Sequence, residues 1–157
     1  MRIELERYRR SWAGGGDVVM NHDWIVKDDV QRGFDGGRPV IAFESTVLTH
    51  GLPYPDSTRL ALRVEEIARE EGCVPATCGI IDGVVHVGMT PDDIDRLAAD
   101  KHARKSSAFD LAFVIAQGAS AGTTVSGTLA IAERAGISVF ATGGIGGVHR
   151  GAVDSFD

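Results

Sequence analysis

The chain has 157 residues, 43% of them hydrophobic and 24% charged, with a formal net charge of −6 from 16 Lys and Arg against 22 Asp and Glu. One domain with a buried core fits that length, and the charge balance offers no general attraction to a nucleic-acid backbone. No apolar run reaches the ~18 residues of a membrane span, and the charged start MRIELERYRRSW has no apolar stretch behind it, so a soluble cytoplasmic protein is expected.

Met1 to Gly37 carries Gly14-Gly15-Gly16 and Gly36-Gly37 and a weak hydrophobic period. It is expected to be a poorly packed extension, with one helix around Asp28 to Phe34, ahead of a main body over 38–157. Pro39 to Phe43 reads as a buried strand. The polar stretch Glu44 to Pro55 reads as a loop, and Asp56 or Ser57 as the cap of a helix running to Glu71. That helix is expected to bury Leu60, Val64, Ile67 and Ala68 and to end at Gly72.

Cys73 and Cys78 lie an odd number of residues apart, which puts them on opposite faces of a strand and argues against a bridge in a reducing compartment. Pro75–Ile81 and Val84–Gly88 flank Asp82-Gly83, a hairpin signature. Thr90-Pro91-Asp92-Asp93 opens a helix with a cap, a first-turn proline and acids at the positive end of the dipole. A basic loop, Lys101 to Ser107, precedes the apolar segment Leu111 to Ala116. Thr123 to Ala135 reads as a helix closed by Gly136, and Ile137 to Ala141 as another buried strand. The alternation implies an α/β fold, a mixed sheet flanked by helices.

Three loops could carry chemistry. Glu44 follows an apolar strand, where partial desolvation suits a carboxyl group to proton transfer; capping a turn or pairing with an arginine is the plainer role. Thr142 to Gly151, TGGIGGVHRG, has five glycines in ten positions. These let backbone amides approach an anion, with Gly144, His149 and Arg150 as contacts. A tightly packed glycine turn accounts for the same residues, and neither GxGxxG nor GxxxxGK[ST] is met. Lys105 together with Thr123-Thr124-Val125 could hold a phosphate oxygen at a helix start, or Lys105 could be a solvated surface lysine. His50 reads as a loop hydrogen-bonding residue or a catalytic one. His22, His50, His86, His102 and His149 show no compact metal-ligand spacing.

FESTVLTHGLPYP (Phe43–Pro55), VPATCGIIDGVVHVGMT (Val74–Thr90) and ATGGIGGVHRGA (Ala141–Ala152) together resemble the successive signatures of pseudouridine-5′-phosphate glycosidases, the indigoidine synthase A-like family. The resemblance covers Pro39 to Asp157 and corresponds to the N-terminal half of that family. It implies cleavage of the C–C glycosidic bond of pseudouridine 5′-phosphate to ribose 5-phosphate and uracil, with a divalent metal, typically manganese, in a homotrimer. The family joins the opened ribose to a lysine as an imine, while a glutamate protonates the departing base carbon. By resemblance Glu44 is that proton donor, Lys105, Thr124 and Val125 bind substrate, and Asp157, where the family's DISAD motif begins, is a metal ligand.

The family reads KVSRRDLP where this chain has Lys105-Ser-Ser-Ala-Phe-Asp-Leu-Ala112, so two arginines are replaced. The AGAKS-like segment that carries the nucleophilic lysine is not among the 157 residues. The resemblance therefore implies a truncated sheet and a chain inactive alone. Two other readings stand beside it. One is a non-catalytic fragment or oligomerisation module that pairs with a complementary fragment. The other is a different sugar-phosphate-binding enzyme that uses the glycine-rich loop.

Overall fold

The computed structural model describes residues 24–146. In chain order the elements are β1 (Trp24–Val26), α1 (Asp28–Asp35), β2 (Val40–Phe43), a π-helical turn (Val47–Gly51), α2 (Asp56–Glu70), β3 (Val74–Ile81), β4 (Val84–Val87), α3 (Pro91–Ala99), β5 (Arg104–Ser106), α4 (Leu111–Ala116), β6 (Ala121–Thr123), α5 (Val125–Ala135) and β7 (Val139–Ala141). The strands form one mixed sheet with the order β1-β4-β3-β2-β7, and β6 joins β3 while β5 joins β6. Two apolar clusters cover its faces. Val30 of α1, Val114 of α4 and Ile131 of α5 pack on one. Leu48 of the π-helical turn, Ala61 of α2, and Ile94 and Leu97 of α3 pack on the other. The mixed, helix-flanked α/β architecture matches the sequence expectation.

The expected extension differs. From Trp24 onward it belongs to the body, because β1 pairs in parallel with β4 and Val30 is fully buried. Its hydrophobic period is weak because α1 is only eight residues long and buries just Val30 and Gly33. A Cβ on Gly33 would come within 3.0 Å of Val74, so a glycine there lets the helix lie close to the sheet.

The Asp82-Gly83 hairpin forms as expected, with φ of 50° and 78° at the two turn residues. Thr90 makes a reciprocal capping box with Asp93. Gly136 closes α5 in the left-handed conformation. Both cysteines are free.

Five local expectations need correction. Pro55, not Asp56 or Ser57, stands at the cap position of α2, and no side chain caps that turn. The Glu44–Pro55 loop contains the π-helical turn, and the Lys101–Ser107 loop contains β5. β7 lies at the end of the strand order, and Val139 is 53% exposed instead of buried.

The fifth correction concerns which face α2 turns inward. It buries Ser57, Thr58, Ala61, Glu65 and Ala68, while Leu60 and Ile67 are exposed. The reason is polar. Glu65 is 1% exposed, its Oε1 accepts from the Thr77 hydroxyl at 2.6 Å, and its Oε2 accepts from Arg69 at 2.6 Å. This charge-assisted pair ties the helix to β3. Glu65→Ala is expected to destabilise the fold by about 2–4 kcal/mol, since it leaves the buried Thr77 hydroxyl unpaired over a cavity. Urea unfolding with an unchanged m-value checks it.

His86 on β4 sits 3.9 Å from Asp93. Burial holds its imidazole below the ordinary 6.5, with Asp93 pulling upward and Arg96 adding to the depression. Burial pushes the Asp93 carboxyl upward, but hydrogen bonds from the Thr90 hydroxyl and amide, with His86 and Arg96 nearby, hold it below 3.8. The folded state therefore favours neutral His86, and the unfolded chain binds its proton first as pH falls below 6.5. Stability is expected to be full above that value and to decline as pH falls below it. Thermal melts across that decline check this, and His86→Gln should flatten it.

Candidate active site

β3 is long enough to take two partners in succession on one edge. Its first half pairs in parallel with β2, from Val40↔Val74 to Phe43↔Thr77. Its second half pairs antiparallel with β6, Gly79↔Gly122 and Ile80↔Ala121. β2 and β6 thus run toward each other and meet at their C-terminal ends. The strand direction reverses there, and α/β sheets commonly bind ligands at such points.

The meeting point is built from buried hydroxyls. Ser45 N donates to the Thr123 carbonyl at 3.3 Å, and Thr123 N donates to Ser45 Oγ at 2.9 Å. The Thr123 hydroxyl reaches the Cys78 carbonyl at 3.0 Å and the Thr128 hydroxyl at 2.8 Å. Ser45, Thr123 and Thr128 are all fully buried. Gly122 permits the close approach: a Cβ there would lie 2.3 Å from Thr49 Oγ1 and 2.6 Å from the Ser45 carbonyl oxygen. Sequence reading missed Ser45 as a site-building residue, and it named Thr123 beside Lys105 but not as the partner of Ser45. Their signal is small hydroxyl residues at the ends of apolar strands.

Glu44 emerges from β2 one residue before this lock and is half-buried. The Thr142 hydroxyl, just past the end of β7, donates to Glu44 Oε1, and Thr142 Oγ1 accepts from Gly144 N at 3.3 Å. β7 runs parallel to β2, so both strands deliver these groups at the same end of the sheet. Sequence reading missed Thr142 as Glu44's partner, because the two lie 98 residues apart.

Lys105 lies on β5 in register with Gly122 and is half-buried. Ser106 O accepts from Thr124 N at 2.9 Å, which holds β5 against the turn into α5. Thr124 caps α5, its hydroxyl accepting from Gly127 N at 3.4 Å, and Val125 is the first helical residue. Gly127 lets this turn close, as a Cβ there would be 2.5 Å from the Ser106 carbonyl oxygen. Glu44, Lys105, Thr124 and Val125 are therefore gathered around the junction of β2 and β6, with the positive end of α5 opening onto it.

His50 is exposed on the π-helical turn, its Nδ1 2.7 Å from Thr49 Oγ1, the atom that packs on Gly122. Gly144 is exposed on the loop beyond Thr142. Ala108 and Phe109, where the family pattern has arginines, are exposed, Phe109 completely. His149, Arg150 and Asp157 lie outside the described residues. Among the described residues no group of three His, Cys, Asp or Glu side chains converges to hold a metal, and no helix is long and apolar enough to cross a membrane.

The fold is of the α/β class, a mixed sheet flanked by helices, with one carboxyl group, one lysine and a helix start near the ends of its strands. Residues 29–157 match the family described as indigoidine synthase A like protein, and the chain belongs to that family. It is 50% identical over 133 residues to the pseudouridine-5′-phosphate glycosidase of Mycoplasmopsis agalactiae, a match covering 85% of this chain and 44% of the relative. The corresponding Herpetosiphon aurantiacus protein is 51% identical over 133 residues, with the same coverage.

Two solved structures are similar. The prealnumycin C-glycosynthase AlnA in complex with ribulose 5-phosphate matches with a TM-score of 0.72 and 42% identity, over 87% of this chain and 44% of that one. An indigoidine synthase A-like protein from Thermotoga maritima matches with a TM-score of 0.72 and 37% identity, over 85% and 44%. The chain thus spans less than half the length of these relatives and corresponds to their N-terminal half.

Proposed function

We propose that these residues form the proton-donating and sugar-phosphate-holding part of a pseudouridine-5′-phosphate glycosidase, which divides pseudouridine 5′-phosphate into ribose 5-phosphate and uracil. The observation that carries this reading is the convergence of β2 and β6, which brings the backbone at Glu44 to the same junction as Lys105 and the start of α5. Relatives bearing that activity's name support it.

A base that leaves through carbon has no heteroatom to protonate, so the acid must deliver its proton to carbon. Glu44 is the residue assigned that work. The hydrogen bond from Thr142 occupies Oε1, which leaves Oε2 to carry the proton. The Lys105 ammonium and the amides at the start of α5 suit a phosphate dianion. The electron pair of the breaking bond stays with the base carbon and takes that proton, while a lysine nitrogen holds the sugar carbon as an imine; the lysine assigned to it by family resemblance belongs to a segment not among these 157 residues. A divalent cation, manganese, belongs to the proposal with Asp157 as a ligand, as does assembly into a trimer in a cytoplasmic setting.

The test compares two polypeptides supplied with pseudouridine 5′-phosphate and manganese. One has these 157 residues alone. The other continues into the part of the Mycoplasmopsis agalactiae relative that this chain does not span. Uracil is expected only from the second. Release by the first would refute the assignment of the imine-forming amine, and silence from a folded second polypeptide would refute the function.

A further inference from the structure

The two faces of β2 and β7 are treated differently. Val40, Ala42 and Phe140 pack into the cluster shared with α1 and α5. On the other face Ile41 and Phe43 stand in register with Val139 and Ala141. Beside them lies a groove of about 330 Å³ lined by Ile41, Phe43, Val64, Ile67, Ala68 and Cys73. Ile67 is 44% exposed and Val139 is 53% exposed. β7 ends the strand order, so its outer edge carries no partner among the described residues. An apolar stripe beside an open sheet edge marks a surface built to be covered.

We propose that this groove seats an amphipathic helix from the part of the family fold that this chain does not span. The relatives supply the length for it, since the match covers 44% of them. Chain leaves the sheet at Ala141, directly beside the groove. The lining is apolar with Glu71 as its one charged member, which suits the stripe of a helix and not a nucleic acid or a phosphate. Handedness narrows the choice further. α2 covers this face on the step from β2 to β3, so a right-handed crossover outward from β7 to a further parallel strand would put its helix on the opposite face. The groove helix therefore comes from later in the complementary half. The proposal rests on the fold and not on the reaction.

Cys73 supplies a built-in probe. It lines the groove and is partly exposed. Cys78 is fully buried, and burial pushes its thiol up to about 12, so it stays silent. The chain is co-expressed with the remaining part of the Mycoplasmopsis agalactiae relative, and maleimide labelling is timed in the complex and in the chain alone. Labelling of Cys73 is expected to slow by about 10-fold or more in a one-to-one complex. Equal labelling rates would overturn the proposal. So would protection of Cys73 by self-association of the chain alone, which would make a second copy the occupant.

Should the two pieces not associate, Ile67→Glu decides. It is expected to lower Tm by less than about 2 °C in the chain alone and by about 5 °C or more in the single continued polypeptide. Equal shifts in the two would also overturn the proposal.

Discussion

Glu44→Gln in the continued polypeptide is expected to lower kcat by about 10²–10⁴-fold, with KM changing little. Glutamine keeps the shape of the side chain and can still accept from Thr142, but it has no proton to give. The loss should therefore come without loss of folding, and the melting temperature should stay within about 2 °C of the parent. Steady-state uracil release and a thermal melt on the same sample separate the two effects. Full kcat in the variant would remove Glu44 from the chemistry and leave it as a partner of Thr142 only.

Gly122→Ala should strike both structure and function. The new Cβ would meet Thr49 Oγ1 at 2.3 Å and the Ser45 carbonyl oxygen at 2.6 Å, and the second of these is backbone that cannot swing aside. Relief requires β6 to part from the end of β2, which disturbs the Ser45–Thr123 lock beside Glu44 and Lys105. A cost of about 1–3 kcal/mol in urea unfolding is expected, together with weakened binding of ribose 5-phosphate. Gly143→Ala is the control, because nothing lies within 4 Å of a Cβ at that exposed position. It should change stability by no more than about 0.5 kcal/mol.

What the sequence disclosed divides along local and long-range lines. The Asp82-Gly83 hairpin, the Thr90 capping box and the Gly136 terminator were legible because each is decided by neighbouring residues. β1, β5 and β6, with three residues each, carry too little pattern to read, and only their pairing makes them strands. The inward face of α2 was misread because hydrophobicity alone favours Leu60, Val64 and Ile67. The Glu65–Thr77 and Glu65–Arg69 bonds turn it otherwise.

The site was half legible. Glu44, Lys105, Thr124 and Val125 stand out through family resemblance, and the structure adds what joins them. The Ser45–Thr123 lock spans 78 positions and the Thr142–Glu44 bond spans 98. Neither follows from a period or a spacing, because both depend on β3 being long enough to hold β2 and β6 end to end. The groove beside β7 was hidden for a similar reason. Its apolar residues look like ordinary core until the face they occupy is known.

Titrating ribose 5-phosphate into the ¹⁵N-labelled chain, and following every amide, tests the proposed site where β2 and β6 meet most directly. The shifts should concentrate at Glu44 to Thr46, Lys105 to Ser107 and Thr123 to Gly127, the three segments that meet where β2 and β6 end. Shifts centred instead on the His86 and Asp93 side of the sheet, or none at saturating sugar phosphate, would contradict it.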